Sequence, residues 1–89
     1  MLDRKDYFVS EIKFDNIKTK KIKSNKYYKI LFILSGDCYV KLKNKYQICS
    51  TDSIILISPN NKIDIESKSK KSLVIYELAI TVELLNKLS

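Results

Sequence analysis

The chain of 89 residues has no histidine, one glycine, and a single arginine, Arg4, among its 17 basic residues. Each shortage excludes a class of chemistry. Without histidine, a serine or cysteine nucleophile lacks its usual general base. The carboxylates Asp37, Asp52, Asp64, Glu66 and Glu77 are scattered, and no two form an evident acid/base pair. With so little arginine, the chain lacks both bidentate recognition of bases and phosphates and a stacking platform for single strands. No apolar run approaches the ~20 residues that span a bilayer. Residues Met1 to Asp6 lack the apolar core of a signal peptide. The expected location is therefore the cytoplasm, with no membrane partner. Cysteine is limited to Cys38 and Cys49, without Cys-x-x-Cys spacing. A bridge between them is geometrically possible on adjacent strands, but reduced, buried thiols are expected in a chain without an export signal.

What is present suffices for one small domain: 45% hydrophobic residues in 10.4 kDa. A chain this short is marginal in stability unless it associates. The net charge of +7 is nearly all lysine, densest at Lys18, Lys20, Lys21, Lys23 and Lys26, with a second cluster at Lys68, Lys70 and Lys71. The pattern predicts a solvated surface; direct nucleic-acid contact is the lesser reading.

The apolar pattern is that of short strands parted by turns. Residues Tyr7 to Phe14 alternate, predicting an opening strand. Ile17 to Asn25 is lysine-rich, with Ile17 and Ile22 as anchors for a short strand and a loop. Tyr27 to Leu34 is apolar on both faces except at Lys29, which indicates a strand covered on two sides. It runs into Gly36, which can take φ > 0 without steric cost. Cys38, Val40 and Leu42 share one face, Lys43-Asn44-Lys45 can turn, and Tyr46 and Ile48 resume the strand. Ser50 to Ser53 forms another turn, Ile54 to Ile57 reads as a buried run, and Ser58-Pro59-Asn60-Asn61 turns again. Ile63 and Ile65 point inward from a half-exposed strand. Ser67 to Ser72 reads as a charged hairpin loop, and Leu73 to Ile80 as a last strand. Thr81 can cap a helix carrying Leu84, Leu85 and Leu88 on one face. Strands at this spacing argue for an all-β sandwich or barrel.

In order, these pieces resemble the N-terminal sensor domain of AraC-family transcription regulators, a cupin-type double-stranded β-barrel or jelly roll. The strand Tyr28 to Gly36, the hairpin around Asn44, Thr51-Asp52, Ile54 to Ile57, Pro59 and the closing segment Leu73 to Leu85 carry the resemblance, over roughly Ile22 to the C-terminus. It implies a single cupin-like sensor domain over residues 1–89, with at most a short C-terminal helix, as a fragment lacking the helix-turn-helix unit through which such regulators contact DNA.

Many cupins are metalloenzymes with histidines and a carboxylate inside the barrel. The resemblance places Lys23, Asn25, Lys29 and Ile63 at those ligand positions, so no metal, no cofactor and no enzymatic activity are expected. The one enzymatic route left open is a lysine of lowered pKa at Lys29. An inward Lys29 must find an anion, from Glu77, Glu66 or a ligand's carboxylate or phosphate, or snorkel to the barrel mouth. Candidate ligand-binding residues are Lys29, Tyr27, Tyr39, Asn25 and Ile63. The expected function is metal-free sensing of an unknown small-molecule effector, with self-association as a homodimer. The alternative is a stand-alone small cupin with a metal-free binding or enzymatic role.

Overall fold

Eight strands and one terminal helix build two four-stranded antiparallel sheets in the computed structural model, which describes residues 6–14, 19–68 and 72–88. The strands are β1 (Tyr7–Phe14), β2 (Thr19–Lys23), β3 (Tyr27–Ser35), β4 (Cys38–Leu42), β5 (Lys45–Cys49), β6 (Ile54–Ile57), β7 (Lys62–Ser67) and β8 (Leu73–Thr81), followed by α1 (Val82–Leu88). One sheet has the order β1-β8-β3-β6 and the other β2-β7-β4-β5. This is the strand order of a jelly roll, the double-stranded barrel of cupins.

The period-2 alternation decides which residues meet between the sheets. Phe14, Leu31, Ile33, Ile57, Leu73 and Ile75 from one sheet close on Ile22, Cys38, Val40, Cys49, Ile63 and Ile65 from the other. The inward row of β3 is Tyr27, Lys29, Leu31 and Ile33, so the lysine does face the barrel.

The turns fall where left-handed backbone is needed. Lys43, Asp52 and Asn60 take φ of 58°, 73° and 62°, and Asn25 takes 53°. Gly36 takes φ 91°, and a Cβ there would lie 3.1 Å from Leu73 Cα, so side-chain-bearing residues are excluded by both conformation and space. Just before it, the β3–β8 register shifts between Ile33 and Ser35. Thr81 caps α1 as expected, its Oγ1 accepting the Leu84 amide at 3.2 Å.

Three sequence readings need correction. Tyr27 to Leu34 is not covered on both sides within the chain: Lys29, Leu31 and Ile33 are buried, while Tyr28, Phe32 and Leu34 on the outer row are exposed. Ile54–Ile57 is not a buried run: Ile54 and Leu56 are 59% and 71% exposed, because they alternate onto the outer face of the sheet and only the inner row, Ile55 and Ile57, meets the core. In α1 only Leu84 is buried, while Leu85 and Leu88 are exposed, since one turn of the helix reaches β8 and the rest runs past it. Much of the charged segment after Ser67 lies outside the described residues.

Ser24 ties two loops together at one end of the barrel. Its hydroxyl donates to the Ser58 carbonyl at 2.6 Å and accepts the Asn61 amide at 2.9 Å, while its own amide donates to the Asn61 carbonyl. It is fully buried. Ser24→Ala leaves the Asn61 amide and Ser58 carbonyl without this partner. The expected loss is about 1–3 kcal/mol in urea unfolding, with no change in slope.

Candidate ligand-binding site

The barrel interior contains one charged pair. Lys29 on β3 and Glu77 on β8 are both buried, with Lys29 Nζ 3.2 Å from Glu77 Oε2. Ser10 on β1 lies directly across from Glu77 and donates to its Oε1 at 3.0 Å. The register explains the geometry. Lys29 is opposite Ala79, whose small side chain leaves room for the lysine arm. Phe8 lies beyond Ala79 in the same row, and its ring sits 5.5 Å from the ammonium. Tyr27, two residues back in the inward row, meets Phe8 edge-on at 5.1 Å. An ammonium, a carboxylate, a hydroxyl and two aromatic rings are thus gathered in an otherwise apolar barrel.

A cleft of about 250 Å³ opens between the edge strands β5 and β6. Val40, Leu42, Cys49, Ile54, Ile55, Leu56 and Ile63 line it, with Lys45 and Gln47 as its polar residues. Lys29 and Glu77 are not among its lining residues: Ile55 lines the cleft, and the next inward residue of β6, the buried Ile57, is opposite Lys29 and stands between the two. Apolar walls with few polar groups are the usual make-up of a small-molecule site.

The five residues nominated from the sequence do not form one cluster. Lys29 and Tyr27 lie together in the interior beside Phe8, and Ile63 is buried at the floor of the cleft. Asn25 is exposed in the β2–β3 turn, outside the barrel. Tyr39 points to the outer face of the second sheet, where Lys68 stands 5.5 Å from its ring. Its row is the opposite of Cys38 and Val40, which alternation alone implies. Lys23 is likewise exposed and remote from Lys29, so the positions matched to cupin ligands do not converge. Among the described residues no group of three or more potential metal-ligating Cys, Asp or Glu side chains is present. Sequence reading overlooked Ser10, Lys45 and Gln47. Ser10 had a usable signal, a polar residue inside the apolar row Phe8-Ile12-Phe14.

Cys38 and Cys49 face each other across β4–β5 as free thiols. Burial, with the facing Cys49 and the adjacent Asp37, pushes the Cys38 thiol up to about 12, and burial raises Cys49 as well. Both stay protonated at neutral pH, which is the opposite of an activated nucleophile.

No family model and no curated protein matches the chain. Solved structures do share its fold. The cupin domain of Cnp3 from Schizosaccharomyces pombe is similar over 99% of the chain, with TM-score 0.81 and 16% identity; this chain spans 65% of that one. ToxT from Vibrio cholerae, solved with an unsaturated fatty acid bound, is similar over 93% of the chain, with TM-score 0.78 and 20% identity; this chain spans 32% of ToxT. ToxT has also been solved with (E)-4-(8-methylnaphthalen-1-yl)but-3-enoic acid. A protein described as a predicted oxalate decarboxylase, from Thermotoga maritima, is similar over 89% of the chain, with TM-score 0.77 and 14% identity; this chain spans 70% of it. The chain has the cupin fold, an all-β double-stranded barrel with one short terminal helix.

Proposed function

We propose that the domain is a metal-free sensor of a small organic acid with an apolar body, of the kind that controls an AraC-type regulator, and that it works as a homodimer. The observation that carries this reading is the buried Lys29 ammonium, paired with Glu77 inside a barrel that also opens an apolar cleft between β5 and β6; a ligand spanning the two must displace the Ile57 side chain between them. A ligand carboxylate can take the place of Glu77 at Nζ while its hydrocarbon part occupies the cleft between β5 and β6. Both ToxT ligands are carboxylic acids with large apolar portions, which supports this ligand class. The exchange also supplies a route for signalling. Glu77 belongs to β8, which leads directly into α1 through Thr81. Releasing Glu77 from Lys29 changes the interactions of that strand, and a ligand shifts a conformational equilibrium by its differential affinity for the two states.

The test is thermal unfolding of metal-free protein with medium- and long-chain fatty acids, the matching alcohols and the matching methyl esters. The acids are expected to raise the midpoint and the neutral analogues to do so much less, since a ligand that binds only the folded state stabilises it. Equal stabilisation by acid and ester removes Lys29 from the mechanism. Elemental analysis is expected to find less than one equivalent of Zn, Fe, Mn or Ni per chain. A stoichiometric metal favours the alternative, a stand-alone cupin with its own chemistry.

A further inference from the structure

The outer face of the second sheet carries an open groove of about 640 Å³, which shares only Leu42 with the cleft. Five lysines line it: Lys21 and Lys23 from β2, Lys41 from β4, Lys43 from the β4–β5 turn and Lys62 from β7. They are scattered over more than forty positions of sequence, and strand pairing brings them together. Asp64 is the one carboxylate of the lining, and it lies opposite both Lys21 and Lys41. The next row toward the barrel end has no acid. There Lys23 and Lys62 are direct cross-strand partners, and Lys43 stands in the neighbouring turn. Like charges directly opposite one another on a sheet are destabilising. Among the described residues, none of the five lysines makes an ion pair. The amide-bearing Asn25, Asn60 and Asn61 complete the lining, and Leu42 is its one apolar residue.

We propose that this groove binds a small polyphosphate, a ligand carrying two or more linked phosphate groups. Three exposed ammonium groups, two on paired strands about 4.8 Å apart and one in the neighbouring turn, repel one another in the groove, and several negative charges within a few ångströms relieve that repulsion. A monocarboxylate supplies one charge, whereas linked phosphates supply several in the space available. Lysine holds phosphate as a point charge and needs no bidentate fork. No aromatic side chain and no arginine line the groove itself; the neighbouring ring of Tyr46 is covered by the Lys41 ammonium at 5.3 Å, and the acid-free lysines are confined to one end of the sheet, which favours a compact ligand over a nucleic-acid strand. With a single apolar residue in the lining, recognition is electrostatic and depends on salt.

The experiment uses inorganic triphosphate as the probe, in thermal unfolding at an ionic strength held constant with sodium chloride. At about a hundredfold excess over Kd, the midpoint of the unaltered chain is expected to rise by roughly 10 °C. The double variant Lys23→Gln/Lys62→Gln has an opposite pair of signatures. Without triphosphate it melts at or above the unaltered chain, because the facing charges are gone, and with triphosphate its affinity falls by about tenfold or more. Lys43→Asn also weakens the rise, asparagine being suited to the positive φ of that position. Lys87→Gln, on α1, leaves the response intact. An unchanged response in both groove variants, or no rise in the unaltered chain, overturns the proposal. So does duplex DNA that binds through Lys23 and Lys62 and is not displaced by triphosphate, since the groove then serves nucleic acid.

Discussion

Lys29→Met alone is expected to lower stability by about 3–5 kcal/mol, whereas Lys29→Met combined with Glu77→Met returns to within about 1 kcal/mol of the unaltered chain or exceeds it. The single change leaves the buried Glu77 carboxylate with Ser10 as its remaining partner. A buried charge without its counter-ion is far costlier than the pair is favourable, because desolvation of both ions consumes most of their mutual attraction. For a domain of this size, a loss of that magnitude approaches the whole folding free energy, and the melting midpoint falls by roughly 15 °C or more. The double variant replaces the pair by apolar side chains that fit an apolar barrel. A stable double variant that no longer responds to fatty acids places the pair in function and not in the fold. Glu77→Gln separates the two roles further. It keeps an acceptor for Ser10 and leaves the ammonium without a carboxylate. The protein becomes less stable, yet a fatty acid then restores the missing charge and binds about tenfold or more tightly, an added ~1.4 kcal/mol. Equal affinity of Glu77→Gln and the unaltered chain for the acid would remove ligand exchange at Lys29 from the account.

The jelly roll was legible because its signals are local. Alternation placed Cys38, Val40, Ile63 and Ile65 inward, with Leu42 at the exposed end of the same row, and turn residues marked the loops where positive φ occurs. Inward placement of Lys29 followed from the same period. Chemistry left Glu77, Glu66, a ligand's anion or snorkelling to the barrel mouth open for it, and register decides between the two glutamates, since Glu66 faces outward from β7 while Glu77 sits across from Leu31. What pattern could not supply was which sheet face meets solvent and which strands form the sheet edges. The run Ile54 to Ile57 reads as core by composition, yet its outer row, Ile54 and Leu56, lies on a sheet face that meets solvent. The same limit hid the cleft, which exists because β5 and β6 are edges, and the basic groove, whose lysines come from four separate elements. The loose nomination of Tyr39 came from chemistry without regard to face, as its row alternates with that of Cys38 and Val40.

Phe32→Lys is expected to convert a homodimer to a monomer and to raise the dimer Kd by roughly a hundredfold or more. The outer face of the β1-β8-β3-β6 sheet is apolar across all four strands: Val9 on β1, Tyr76 and Leu78 on β8, Tyr28, Ile30, Phe32 and Leu34 on β3, Ile54 and Leu56 on β6. Contiguous apolar surface of this extent marks an interaction site. The occupant we propose for it is a second copy of the chain, on grounds of charge. Two copies each bearing +7 repel through most approaches, but on this face the charged residues are Glu11 and Lys13, which neutralise each other at 3.2 Å on the outermost strand. An isologous contact through the face buries apolar surface without opposing the lysines, and isologous pairing is the commonest arrangement of identical chains. The centre of the sheet is the β3–β8 pair, where Phe32 lies opposite Tyr76. A two-fold axis near that point sets Phe32 against its own symmetry mate, so a lysine there places two like charges in the middle of the contact. Val9→Lys, on the edge strand, has a smaller effect. The same experiment distinguishes face packing from strand addition at a sheet edge: Phe32→Lys leaves the edge backbone untouched, so a dimer that survives it is joined through an edge. Light scattering and melting over a range of concentrations provide the readout. A concentration-independent melting point with a monomer mass at high concentration excludes self-association through either route.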